Sequence, residues 1–177
     1  MEEEISSGTE PPKIINVRVE IPAGSKVKYE FDKKRRAMIV DRILHSSVVY
    51  PTAYGYIPCT LCEDGDPLDV LLYLSAGINL IPGCIISARP VAVLLMRDER
   101  GKDNKIVAIP TEDPRLDEIQ SLTTLPKHLL REIEEFFDTY KHLERGKCTE
   151  IVGWKDRETA FSIINSAIFQ YQEMKKS

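Results

Sequence analysis

The sequence predicts an α+β fold, in which a mainly β body is followed by two helices. Short segments of alternating apolar and polar residues, divided by Gly and Pro, recur from Ile14 to about residue 109. Many short strands separated in this way are typical of a barrel or a sandwich. After Pro126 the apolar residues recur at a spacing of three and four, which predicts helices.

The strand pattern is clearest near the start of the chain. Residues 14–21 alternate and end at Pro22, and residues 26–31 alternate with Lys26, Lys28 and Glu30 on one face. A turn is expected at residues 50–56. The other predicted strands are residues 37–44, 70–74, 84–88, 91–96 and 105–109, with Arg89–Pro90 separating the third and fourth of these.

Two helices are predicted in the last third of the chain. Pro126 suits the start of the first helix, and Gly146 ends its pattern. The second helix is expected after Asp156. The apolar stripe of the first comprises Leu129, Leu130, Ile133, Phe136, Phe137 and Tyr140; that of the second comprises Ala160, Phe161, Ile164, Ala167, Ile168 and Tyr171.

The length of 177 residues fits one domain with a hydrophobic core. We place this domain at residues 14–177, after a polar tail at residues 1–13 that we expect to be flexible. The formal net charge of −4 gives no reason to expect nucleic-acid binding. No apolar run approaches the about 20 residues that span a membrane, and the N-terminus is acidic, so a cytoplasmic protein without membrane contact is expected.

The four cysteines give little sign of a metal or redox site. Cys59 and Cys62 form a CxxC motif, whereas Cys84 and Cys148 stand alone. A structural zinc site needs four ligands, and no second CxxC or paired-His motif follows. Reduced thiols are therefore the favoured interpretation.

The most informative segment is Asp64–Val70, with the sequence DGDPLDV. Its three carboxylates repel one another when close, and binding of a hard cation such as Mg²⁺ is a common reason to gather them. An acidic turn is equally compatible with this segment alone. A calcium EF-hand is excluded, because Leu68, Asp69 and Ser75 occupy the positions that require an oxygen ligand, Gly and Glu.

A second acidic segment, residues 98–105, by itself indicates only a solvated loop. Its importance increases if the first segment binds metal, because two Mg²⁺ ions about 4 Å apart need more carboxylates than one short loop offers. A polyanionic substrate would also give a function to nearby cations, since Arg binds phosphate bidentately and Lys binds it as a point charge.

Several segments, in order from about residue 14 to residue 154, together resemble the soluble family I inorganic pyrophosphatases. The central match is DGDPLDV at Asp64–Val70, which fits the D-x-D-P-x-D motif of that family. The other matching segments are Val19–Pro22, Lys28–Glu30, Val40–Arg42, Tyr50–Pro51, Tyr54–Tyr56, Asp98–Lys105, Phe136–Phe137 and Tyr140–Lys141.

The resemblance implies Mg²⁺-dependent hydrolysis of inorganic pyrophosphate to two orthophosphates by a metal-activated water. It implies several Mg²⁺ ions, which other divalent ions such as Mn²⁺ can replace. It also implies an OB-like, highly twisted five-stranded β-barrel, with two main C-terminal helices packed on it.

The resemblance also implies roles for individual residues. Asp66 corresponds to the catalytic base, and Glu20 supports the site from its rim. The implied metal ligands are Glu30, Asp64, Asp69, Asp98 and Asp103. The implied substrate contacts are Lys28, Arg42, Tyr54, Lys105, Tyr140 and Lys141.

Two positions depart from the pattern of bacterial members. Cys148 stands where many have Trp, and Lys102 stands where an acid often occurs, which is expected to shift metal affinity. The family implies a homo-oligomer, and the short chain favours a hexamer over a dimer. Two other functions remain open: a nucleic-acid-binding module on an OB-like barrel, which the acids oppose, and a phosphatase for other phosphoesters or nucleotides.

Overall fold

Nine β-strands and two α-helices make up the regular structure in the computed structural model, which describes residues 5–176. The strands are β1 (Ile15–Ile21), β2 (Val27–Asp32), β3 (Ala37–Ile43), β4 (Ala53–Tyr56), β5 (Asp69–Leu72), β6 (Ile85–Asp98), β7 (Gly101–Lys102), β8 (Lys105–Pro110) and β9 (Thr149–Asp156). The helices are α1 (Lys127–Thr139) and α2 (Arg157–Lys176), and two 3-10 turns span Pro114–Leu116 and Leu122–Thr124.

Five of the strands close a ring in the order β1, β4, β5, β8, β6 and back to β1. Only the β5–β8 pairing in the ring is parallel. β7 and β9 extend the sheet from β6 outside the ring, whereas β2 and β3 form a separate hairpin. This ring with two helices confirms the predicted α+β, OB-like fold.

The hydrophobic core is built from the apolar residues that alternate with polar ones in the sequence. In β1 every second residue, from Ile15 to Ile21, is fully buried. The buried apolar residues form two clusters, one that includes the inner face of α1 and one that includes the inner face of α2. α1 packs against β9, and α2 packs against β6 and β9, so each helix buries apolar surface against the sheet.

The prediction of two strands separated at Arg89–Pro90 is wrong, because residues 85–98 form the single long strand β6. Pro90 lies inside this strand, opposite Ala108 of β8, and the register shifts between Pro90 and Ala92. A proline has no N–H for the ladder and is tolerated at such a bulge. The proline therefore marks an irregularity in one strand rather than a break between two.

The predicted turn at residues 50–56 is also wrong in part, because Ala53–Tyr56 form β4. All four residues are buried, so no alternation marks the strand in the sequence. Gly55 allows β4 to approach β1, since a Cβ there would lie 2.1 Å from the carbonyl oxygen of Arg18. β9 was not predicted either, and Gly153 interrupts its pattern at a register shift.

Both predicted helices are confirmed, with a different end for the first. α1 buries Leu129, Ile133, Phe136 and Phe137, as its stripe predicts. It ends at Thr139 rather than near Gly146. After the C-cap Tyr140 the chain turns, which buries Lys141 beside Asp98.

The N-terminal segment is partly described. Residues 1–4 of the predicted tail lie outside the described residues. From Ile5 onwards the chain contacts the body, since Asn16 N donates to Ser7 O at 2.9 Å and Cys59 Sγ donates to Ile5 O at 3.3 Å. The division into a tail at 1–13 and one domain at 14–177 stays a prediction.

The structure also bears on disulfide bonds and on membrane-spanning helices. None of the four cysteines, all of which lie within residues 5–176, forms a disulfide. Neither α1 nor α2, as described within residues 5–176, combines the length and the apolar character needed to cross a membrane.

Candidate active site

A cleft of about 700 Å³ brings together the residues that the sequence selects from separate segments. Its walls come from the β2–β3 hairpin, the loop before β5, the β6–β7–β8 segment and the turn after α1. Glu20 lines it as well. The predicted site residues in the lining are Lys28, Glu30, Arg42, Tyr54, Asp64, Asp66, Asp69, Asp98, Asp103, Lys105, Tyr140 and Lys141.

The acidic loop before β5 is held by its own turn and by a buried anchor. Gly65 has a φ of 89°, a left-handed conformation that glycine adopts easily, and Asp66 N donates to Asp64 Oδ1 at 3.0 Å. Leu68 is 1% exposed, and its N–H donates to Thr60 Oγ1 at 2.9 Å. The loop is thus fixed to the core just before Asp69 starts β5.

Lys105 is the most buried cation of the cleft, with 2% of its surface exposed. Its Nζ lies 2.6 Å from Asp69 Oδ2 and also donates to Asp103 Oδ1. Burial acts to lower the pKa of Lys105, but the two carboxylates outweigh it, so the pKa is raised and the ammonium stays charged. Burial raises the pKa of Asp69, and Lys105 opposes this effect.

Lys141 forms a second buried contact with an acid of the cleft. Its Nζ lies 3.1 Å from Asp98 Oδ2 and 3.5 Å from Glu99 Oε2. Burial acts to raise the pKa of Asp98, but hydrogen bonds from Arg100 N and Lys141 lead to a net lowering. Asp98 is therefore an ionised acceptor at neutral pH.

The β2–β3 hairpin supplies the third group of charges. Lys28 Nζ donates to Glu30 Oε1 and lies 3.3 Å from Asp41 Oδ2. Arg42 Nη1 lies 2.6 Å from Glu144 Oε2, and the Glu144 side chain is 5% exposed. Sequence reasoning missed Glu144, because it follows α1 and is more than one hundred residues from its partner.

Arg100 is a second site residue that the sequence reasoning missed. Its Nη1 lies 2.7 Å from Asp66 Oδ2, and its Nη2 donates to Asp64 O at 2.5 Å. Its only sequence signal is its place inside the acidic segment 98–105. Arg100 thus joins the two acidic segments directly.

The tyrosines give the cleft an aromatic wall of neutral hydroxyl groups. Tyr54 and Tyr140 are 7% and 5% exposed, and Tyr140 stacks on Phe136 with ring centroids 5.0 Å apart. Burial raises the pKa of both hydroxyls above the ordinary tyrosine value. They therefore remain protonated donors at neutral pH.

Glu20 has an unusual environment at the rim. It accepts a hydrogen bond from Phe31 N at 2.8 Å, and burial raises its pKa to about 7. That value includes smaller upward contributions from the charges of Asp69 and Glu30 and an opposing one from Lys28. Glu20 thus exchanges its proton near neutral pH.

The cleft has the donor chemistry for hard divalent cations. Carboxylate oxygens are the ligands that Mg²⁺ and Ca²⁺ prefer, and several face this one space. Within residues 5–176, however, no three Asp, Glu, His or Cys side chains converge closely enough to hold an ion as placed. These carboxylates are paired with cations, namely Lys28, Lys105, Lys141 and Arg100. The oxygen donors and the negative charge of the acids fit a hard divalent cation.

Comparison with known proteins shows which family the chain belongs to. A family model described as inorganic pyrophosphatase matches residues 17–172. The chain belongs to the inorganic pyrophosphatase family. Inorganic pyrophosphatases hydrolyse pyrophosphate, and this is the activity that membership assigns to the protein. It is thus a hydrolase, and its family uses divalent metal ions.

Relatives in the family match nearly the whole chain. An inorganic pyrophosphatase of Haloferax volcanii is 44% identical over 171 residues, which are 97% of this chain and 96% of the relative. One of Methanosarcina mazei is 48% identical over 160 residues, 90% of this chain and 93% of the relative. The crystal structure of inorganic pyrophosphatase from Thermus thermophilus matches with a TM-score of 0.92 and 40% identity, covering 96% of this chain and 97% of that chain.

Proposed function

We propose that the protein hydrolyses inorganic pyrophosphate to two orthophosphates in a Mg²⁺-dependent reaction, by attack of an activated water. The observation that supports this proposal is the meeting of carboxylates and cations from distant segments in one cleft. Carboxylates alone would repel pyrophosphate, and cations alone would not hold divalent metal. Both sets are needed for metal-assisted phosphoryl transfer.

Asp64, Asp69 and Asp103 are the proposed ligands of the ions that activate water. Glu30 and Asp98 are the proposed ligands, direct or through water, of ions that arrive with the substrate. Divalent ions supply charge neutralisation and lower the pKa of water toward neutrality. Several Mg²⁺ ions are expected, with Mn²⁺ able to replace them.

Asp66 is the proposed general base. Its side chain lines the cleft and is 60% exposed, more than that of Asp69 or Asp103, and its Oδ2 lies 2.7 Å from Arg100 Nη1. An accessible carboxylate oxygen is suited to take the proton of the attacking water. Asp69 and Asp103 are more buried, and both accept a hydrogen bond from Lys105.

The cations and tyrosines are the proposed contacts for the phosphate groups. Arg42 offers a bidentate fork, and Lys28, Lys105 and Lys141 offer point charges that oppose the charge developing on the leaving phosphate. The neutral hydroxyls of Tyr54 and Tyr140 add hydrogen-bond donors without adding charge. With divalent ions held by the acids, Lys28, Lys105, Lys141 and Arg42 would be available to bind the phosphate groups.

The test of this function is phosphate release by the purified protein. We expect turnover of pyrophosphate with Mg²⁺, partial or full turnover with Mn²⁺, and none after chelation. A panel of pyrophosphate, ATP and a phosphate monoester separates this activity from that of a general phosphatase. Metal-independent release, or preference for the monoester, would contradict the proposal, and tight salt-sensitive oligonucleotide binding without hydrolysis would favour the nucleic-acid module.

The assembly and the location of the protein are also part of the proposal. We propose a homo-oligomer, with a hexamer favoured over a dimer. Light scattering gives the mass of the assembly. A cytoplasmic location, without membrane or nucleic-acid partners, stays a prediction.

A further inference from the structure

Arg100 stands at the tip of a tight hairpin that faces the acidic loop before β5. Asp98 and Gly101 are paired across this hairpin, and Asp98 Oδ1 accepts a hydrogen bond from Arg100 N at 2.8 Å. The backbone at Arg100 is thus fixed by a residue that itself lines the cleft. The long side chain then extends across to the other acidic segment.

The guanidinium makes two contacts on that segment. Nη1 lies 2.7 Å from Asp66 Oδ2, and Nη2 donates to the carbonyl oxygen of Asp64 at 2.5 Å. A neighbouring pair joins the same two segments, with Lys102 Nζ 2.8 Å from Glu63 Oε1. Glu63 does not line the cleft, so of these two exposed pairs it is the Arg100 pair that involves a proposed site residue.

We propose that Arg100 is a positioning residue that holds Asp66 while divalent ions are absent and competes with their binding. This inference rests on the proposed function, because it assumes that ions bind beside Asp64 and Asp66. The Arg100 cation satisfies the Asp66 carboxylate and pins the loop through the Asp64 carbonyl. Divalent ions then bind more weakly, since they enter a space where a fixed positive charge already satisfies an acid.

The sign of the effect distinguishes this role from a contact to substrate. If Arg100 weakens the binding of divalent ions, its removal strengthens that binding and lowers the metal concentration needed for activity. If Arg100 bound phosphate, its removal would raise KM for pyrophosphate and leave metal binding without substrate unchanged. The pair is exposed, with side chains 52% and 60% accessible, so the expected change is about two- to fivefold.

Direct titration of metal-depleted protein with Mg²⁺ or Mn²⁺, without substrate, measures the effect independently of activity. Calorimetry of Arg100→Gln should give a dissociation constant about two- to fivefold lower than that of the wild type. Steady-state assays of the same variant should show the metal concentration for half-maximal rate lowered by a similar factor. Arg100→Lys, which keeps the charge but loses the fork, should lie between the two proteins.

Lys102→Gln is the matched control, because it removes the same charge from the same hairpin at similar exposure without touching Asp66. It should change metal affinity less than Arg100→Gln does. Equal effects of the two variants, unchanged or weaker metal binding in Arg100→Gln, or a raised KM alone would overturn the proposed role. Failure of the wild-type protein to show Mg²⁺-stimulated phosphate release would instead overturn the proposed function itself.

Discussion

Asp69 and Lys105 are register partners at the first positions of the parallel strands β5 and β8, and their side chains form an ion pair of 2.6 Å. The strand pairing thus places the two charges side by side. Lys105 also donates to Asp103, two residues earlier in the chain. One buried ammonium therefore separates two carboxylates that would otherwise repel each other.

Replacement of Lys105 by Met should destabilise the metal-free protein. Removing one partner of a buried pair leaves uncompensated charge, so we expect the free energy of unfolding to fall by about 3 kcal/mol. Urea unfolding in the presence of a chelator measures this change in the free energy of unfolding. The control is Lys155→Met at an exposed position, which should change the free energy of unfolding by less than about 0.5 kcal/mol. Equal stability of the two variants would show that Asp69 and Asp103 do not need Lys105.

Replacement of Asp66 by Asn should reduce kcat while the fold is kept. The amide cannot take a proton from water, and loss of a general base reduces the rate about a hundred- to ten-thousand-fold. Steady-state kinetics at saturating Mg²⁺ measure the loss. Asp138→Asn, an exposed change of the same type on α1, should keep the normal rate, and near-normal turnover of Asp66→Asn would remove Asp66 as the base.

Replacement of Glu144 by Gln should weaken substrate binding more than turnover. Glu144 orients Arg42 through the 2.6 Å pair, and its side chain is almost fully buried. An unheld guanidinium samples other positions, so KM for pyrophosphate should rise about three- to tenfold with a smaller change in kcat. The exposed control Glu135→Gln should leave both constants unchanged; a drop in kcat alone would argue against a positioning role for Glu144.

Replacement of Gly55 by Ala should disrupt the ring. The added Cβ would lie 2.1 Å from the Arg18 carbonyl oxygen, which belongs to the backbone and cannot move independently. We expect the free energy of unfolding to fall by about 3 kcal/mol or more, or the protein to fail to fold. Gly24→Ala has open space but a φ of 79°, so it should cost only about 1–2 kcal/mol, and a similar loss in both variants would refute the steric explanation.

Asp113 should give the protein a pH-dependent contribution to stability. A hydrogen bond from Ser75, together with Arg115, holds the pKa of Asp113 below its ordinary value. A carboxylate with a lower pKa in the folded chain stabilises it above the unfolded pKa, and this stabilisation is lost as the pH falls through the folded pKa. Between about pH 6 and about pH 3 the thermal midpoint should fall more in the wild type than in Asp113→Asn. Parallel curves for the two proteins would exclude this contribution.

Helices and strands whose apolar residues recur with a clear period could be predicted from the sequence. Strands whose conformation depends on the neighbouring strands could not. β1 and α1 carry one clear apolar face each, so their type followed from local pattern. β4 is buried on every side, and β6 contains a proline at a bulge. In both cases the neighbouring strands, rather than the local sequence, determine the structure.

The sequence alone determined that three carboxylates of the candidate site lie near one another. Asp64, Asp66 and Asp69 lie within one short loop, so their proximity is set by the chain itself. Only the tertiary structure decided which cation each acid meets, because Arg100 reaches Asp66, Glu144 reaches Arg42, and the β5–β8 register brings Lys105 to Asp69. The physical reason is that these contacts depend on strand pairing and chain turns that bring distant residues together, and sequence spacing does not specify them.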